Sequence, residues 1–138
     1  MYQFIKKDED TTILKFKDKE YEIKRDVELS SKLQGLYNKA RTKMYIDLTK
    51  DGFSADDLVI KTKKNGKTYE DNTNLIKLEQ KYIETEQLNF FQEMSNQCFG
   101  MPLDAIIVEL GLNTEEAKVF GKEFGEALTG TNKSPSQG

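Results

Sequence analysis

The hydrophobic period of this chain changes once, near Asp26, and that change limits the folds open to it. Before it, Leu14 and Phe16 alternate with Lys15 and Lys17, and Tyr21 and Ile23 alternate with Glu20, Glu22 and Lys24. A period of two places one set of side chains on a single face of a β-strand. Asp18 and Lys19 lie between the two runs, where a tight turn fits, so a β-hairpin is expected over 11–25. Tyr2 and Phe4 offer a third short strand. A hairpin alone is barely stable in water, so its apolar face must cover helices or another chain.

After Asp26 the spacing is helical. Leu29, Leu33, Leu36, Tyr37, Ala40, Met44 and Leu48 recur in steps of three and four, predicting a helix over about 27–50 that opens on Asp26 and stops at Asp51-Gly52. A second helix is expected over 73–98, with Leu75, Leu78, Tyr82, Ile83, Phe90, Phe91, Met94 and Cys98 on its apolar side and Gly100 beyond its end. Pro102 suits the first turn of a short helix over 102–110, which Gly111 closes. Asn113 and Glu116 have capping-box spacing and open a last helix over 114–128. Between the first two helices, Asn65-Gly66 is a strong hairpin signal, because both turn positions take positive φ. A second hairpin is expected over about 58–71, with a mobile loop as the alternative. The fold class is therefore α+β, mostly helical, in a single domain over 1–129. The small, polar residues 130–138 are expected to form a disordered tail.

Composition narrows function mainly by exclusion. Of 138 residues, 36% are apolar and 33% charged, which implies either a small core or an apolar surface completed by a partner. The formal charge is −3 and both signs are interspersed. Lys61, Lys63, Lys64 and Lys67 are the nearest thing to a basic stripe, but Asp56, Asp57, Glu70 and Asp71 surround them, so no nucleic-acid binding is expected. With no histidine and a single cysteine, Cys98, the chain has no disulfide framework, no imidazole ligand and no base to activate a thiol. No apolar run approaches the ~20 residues of a membrane span, and residues 1–10 do not read as a signal peptide. The expectation is a cytosolic, non-enzymatic protein with no cofactor and no metal.

The remaining candidates are interaction residues. Asp56-Asp57 and Glu115-Glu116 read as solvated or helix-capping acids rather than catalytic pairs. Gly121 and Gly125 sit four apart inside the last helix, each costing up to about 1 kcal/mol there. They imply a close approach of another backbone, within the chain or across an interface. Phe120 and Phe124 form an aromatic ridge beside them. With Phe90 and Phe91, these residues are the candidate protein-binding set.

The layout of a strand pair, Thr12-Ile13-Leu14-Lys15-Phe16 with Glu20-Tyr21-Glu22-Ile23, followed by several helices and a polar tail, resembles the tail assembly chaperones of long-tailed phages and prophages of Gram-positive bacteria. The segments Cys98-Phe99-Gly100-Met101-Pro102-Leu103 and Phe120-Gly121-Lys122-Glu123-Phe124 are similar to their carboxyl-terminal helices. That resemblance implies a morphogenesis factor in the host bacterial cytoplasm. It would bind the tape measure protein, keep it soluble while tail tube protein assembles around it, and self-associate. A small prophage-encoded regulatory or inhibitory protein-binding module is the alternative.

Overall fold

The strands form where the alternation places them. A computed structural model of the chain, described over residues 1–132, contains β1 (Tyr2–Lys6), β2 (Thr11–Phe16), β3 (Lys19–Lys24), α1 (Val27–Lys50), a 3-10 turn (Ala55–Leu58), β4 (Ile60–Lys64), β5 (Lys67–Asp71), α2 (Thr73–Phe99), α3 (Leu103–Glu109) and α4 (Thr114–Thr129). The α+β, mostly helical class and the second hairpin are both present. Where the pattern suggests one domain over 1–129, the chain divides into two compact units. One comprises Met1–Leu33 with Phe90–Gly138, the other Gln34–Asn89. The apolar stripes of α1 and α2 are long enough for each helix to contribute to both.

In the first unit, β1, β2 and β3 make an antiparallel sheet in sequence order. Tyr2 stands opposite Phe16 and Phe4 opposite Leu14, while Leu14 also stands opposite Tyr21 and Thr12 opposite Ile23. Paired residues share a face, so Tyr2, Phe4, Leu14, Phe16, Tyr21 and Ile23 line one side. Leu14, Phe16 and Ile23 on that side are buried. The β2–β3 turn is Lys17-Asp18, one residue earlier than the pattern suggests. Lys17 takes φ 57°, a conformation that costs a side-chain-bearing residue about 1 kcal/mol. Lys17 Nζ lies over the Phe16 ring, 5.1 Å from its centre.

The helix ends follow their capping residues. Asp26 Oδ1 accepts from Leu29 N at 2.8 Å, opening α1. Asn113 Oδ1 accepts from Glu116 N at 2.9 Å and Glu116 returns the bond to Asn113 N at 3.0 Å, so the capping box forms as the spacing predicts. Pro102 is the residue just before α3 rather than inside it. The corner between α2 and α3 is fixed by Ser95 Oγ donating to Met101 O at 2.8 Å and Leu103 N donating to Gln92 Oε1 at 2.9 Å. Gly130 closes α4 at φ 79°.

Residues 130–132 depart from the expected tail. Lys6 Nζ donates to Gly130 O at 3.1 Å, Thr131 N to Glu126 O at 2.9 Å, and Asn132 Nδ2 to Thr12 Oγ1 at 3.3 Å. Their small polar side chains lack any periodic signal, yet they supply groups that the end of α4 and the sheet would otherwise lack. The rest of the expected tail, 133–138, lies outside the described residues.

In the second unit, α1 and α2 run antiparallel, as shown by Asp47 paired with Tyr82 and Lys43 with Glu86. Leu36, Ala40, Met44 and Ile83 are its buried apolar residues. Tyr37, included in the predicted stripe, is 54% exposed, because it lies a further 100° round the helix from Leu36. β4 and β5 pair from Ile60 opposite Asp71 to Lys64 opposite Lys67, and the turn takes φ 55° at Asn65 and 75° at Gly66. Every residue of these two strands is exposed. Among the described residues no helix is long and apolar enough to cross a membrane.

Candidate functional site

The phenylalanines singled out by the sequence lie together, but not on a surface. Phe120 and Phe124 have no exposed area, and Phe90 is buried as well. Phe120 packs against Tyr2 at 5.3 Å between ring centres and Phe4 at 5.5 Å. Phe124 lies 5.0 Å from Phe99 and 6.1 Å from Phe91. Phe99, buried in this cluster, also meets Tyr21 edge-on at 5.5 Å. The helical ridge that looked available for a partner is therefore consumed by the chain's own sheet and α2. Each such aromatic pair adds about 0.5–1.5 kcal/mol beyond the area it buries. Phe91 alone of the four is only partly buried.

The glycine pair is likewise explained only in part by close approach. A β-carbon at Gly125 would lie 3.4 Å from Phe91 Cζ, an ordinary contact, while one at Gly121 would meet nothing within 4 Å. Among the described residues no backbone atom comes within 4 Å of a β-carbon at either position.

Polar groups that sequence reasoning passed over matter more to the architecture. Arg25, at the end of the sheet, donates from Nε to Glu9 O at 2.9 Å and from Nη2 to Asp8 O at 3.0 Å. Its Nη1 donates to Thr12 Oγ1 at 2.7 Å and to Ala127 O at 2.8 Å. It thus ties the β1–β2 loop and β2 to the carboxyl end of α4, where a positive charge also complements the helix dipole. In the second unit, Glu86 is 4% exposed on α2 and faces Lys43 at 2.5 Å and Lys39 at 3.6 Å on α1. The Lys43 hydrogen bond, opposed by burial and aided by both lysine charges, holds the Glu86 carboxyl below its ordinary range. A glutamate at a core position of an amphipathic stripe gives no sequence cue beyond breaking the apolar spacing. The lysines at positions 39 and 43, i and i+4 on α1, are the one signal available.

Among the described residues no group of three or more Cys, Asp or Glu side chains is placed to hold a metal ion. Burial pushes the Cys98 thiol up to about 11, so it is protonated at neutral pH and a poor nucleophile. Asp57 caps the 3-10 turn by accepting from Ser54 N at 2.7 Å, and Asp56 pairs with Lys61 at 3.1 Å.

What each unit does offer is exposed apolar side chain. In the first, a groove of about 590 Å³ lies beside α4, lined by Met1, Tyr2, Leu110, Leu112 and Val119 together with the carboxylates of Glu115, Glu116 and Glu123. Val119 is 55% exposed there. In the second, Tyr45, Ile46, Ile76 and Leu88 stand exposed on the helices, and Phe53 in the loop after α1. Ile60 and Tyr69 are exposed on one face of the β4–β5 hairpin, as its register requires. Comparison with known proteins gives no match: no family model fits the chain, and no curated protein and no solved structure is detectably similar.

Proposed function

We propose that this chain is a non-enzymatic tail assembly chaperone of a long-tailed phage or prophage, acting in the host bacterial cytoplasm. Its client is the tape measure protein, which it keeps soluble while tail tube protein polymerises. The observation that carries the reading is the second unit. Its buried apolar set is thin, its surface is dense in charge, and large apolar side chains such as Tyr45, Ile46, Ile76 and Leu88 stand exposed on its helices. Exposed apolar side chains on amphipathic helices offer area to a partner helix, and the surrounding charge keeps that surface in solution. A sheet followed by helices is the layout from which this reading starts, and the β4–β5 hairpin between α1 and α2 is an addition to it.

Co-expression with a tape measure protein tests this directly. The client is expected in the soluble fraction, co-purifying with this chain, only when both are made together. A client that stays insoluble, or that never co-purifies, overturns the proposal. Capture of a single host protein instead would favour the inhibitory-module reading.

A further inference from the structure

The groove beside α4 combines apolar side chains with three carboxylates. Glu115, Val119 and Glu123 fall at i, i+4 and i+8, so they form a single stripe about 12 Å long on the helix. Met1, Tyr2 on β1 and Leu112, with the largely buried Leu110, complete the apolar part of the lining, and Glu116 adds a third carboxylate to it. Part of the lining is held in place: Tyr2 Oη donates to Glu123 Oε1 at 2.6 Å, its ring stacks edge-on against buried Phe120, and Glu116 is fixed by the capping box. Of the three carboxylates, Glu115 alone has an ion-pair partner among the described residues, Lys118 at 3.6 Å, and both members of that pair are largely exposed.

We infer that this groove docks an amphipathic helix of another protein, one carrying apolar residues at helical spacing flanked by lysine or arginine. The apolar part of the lining accepts anchors at i, i+3 or i+4, and i+7. The two-turn length of the stripe matches a helix laid along α4. The glutamate carboxylates select cationic flanks and repel acidic ones. The inference rests on the chain being a protein-binding module and specifies the chemistry of what it binds, but it does not need the partner to be a tape measure protein.

The test uses the full chain and three dye-labelled designed peptides of equal length: a Lys-flanked amphipathic helix, the same helix with Glu flanks, and the Lys-flanked composition with its apolar positions scrambled. Fluorescence anisotropy is expected to show binding of the first alone, weakening as salt is raised. Val119→Asp is expected to weaken it about tenfold or more, and Glu115→Lys about fivefold. Val119→Gln serves as the milder second variant, and circular dichroism checks that each variant keeps the wild-type helix content. Equal binding of the Glu-flanked or scrambled peptide, or unchanged affinity in both Val119 variants, overturns the inference. So does light scattering that shows an oligomer which Val119→Asp dissociates, because the occupant would then be a second copy of this chain. Solubilisation of a tape measure protein without peptide binding sinks this inference and leaves the proposed function standing. The reverse result does the opposite.

Discussion

Removing the Arg25 side chain should weaken the first unit more than any other surface-reaching substitution. Of its four hydrogen bonds, those to Asp8 O and Glu9 O are at an exposed loop, where water replaces the guanidinium at little net cost. The other two differ. Thr12 has no exposed area, and Ala127 O is one of the last carbonyls of α4, beyond the reach of an intrahelical donor. Orphaning a buried acceptor costs about 1–3 kcal/mol, and losing the positive charge at the helix end adds about 0.3–1 kcal/mol. Asn132 still reaches Thr12 Oγ1, which softens the loss there. Arg25→Ala is therefore expected to destabilise by about 2–4 kcal/mol. Urea unfolding followed by far-ultraviolet circular dichroism should show the midpoint falling by roughly 1–2 M with little change in slope. Arg25→Lys, which replaces a planar fork by one ammonium, should recover less than half of that. Gly130 supplies an internal check, since a β-carbon there would lie 3.1 Å from Arg25 Nε. Gly130→Ala should cost less in the Arg25→Ala background than in the wild type. A midpoint shift for Arg25→Ala of under roughly 0.2 M, or strict additivity of the two substitutions, would refute this account of the junction.

Four further outcomes follow from the packing and the titrating groups. Phe120→Ala and Phe124→Ala should each cost about 3–5 kcal/mol in thermal or urea unfolding, whereas Phe91→Ala, at a partly buried position, should cost clearly less. Gly121→Ala, with open space at the new methyl, should stabilise α4 by up to about 1 kcal/mol, and a loss of stability would indicate a hidden close contact. Because Glu86 titrates lower when folded than when unfolded, its contribution is fully present above its unfolded value near 4.5 and is lost as pH falls through the folded value. Urea midpoints measured from pH 6 down to 3 should fall less steeply in Glu86→Gln than in the wild type. Cys98, with its thiol raised by burial, should react slowly with iodoacetamide at pH 8 and quickly in urea, and equal rates would contradict its packing.

Much of the architecture is legible because it depends on local rules. Asp26, Asn113 with Glu116, and Asn65-Gly66 each act within a few residues of their own position, so helix starts and hairpin turns appear directly in the sequence. The long-range part is not legible in the same way. Phe120 and Phe124 mark an apolar stripe, but nothing local says whether the sheet or a partner will cover it. The sheet does, through Tyr2 and Phe4, which lie more than a hundred positions away. Arg25 and Asn132 are invisible for the same reason, since their partners Ala127 and Thr12 are remote in sequence. Glu86 sits at a core position that a carboxylate occupies only because Lys39 and Lys43 face it from another helix. In the groove, Val119 between Glu115 and Glu123 carries a readable spacing, but the lining includes Tyr2 from the opposite end of the chain.

The junction of Tyr2 with Glu123, 121 positions apart, also bears on how the molecule comes into being. A ribosome releases the greasy side of the three-stranded sheet well before α4, which packs against it. Leu14, Phe16 and Ile23 must wait, unshielded, through the translation of nearly all that follows. Closure of the first unit is thus a late event with a large loop to seal, and slow emergence of α4 should prolong the interval in which the nascent chain is prone to stick to its neighbours.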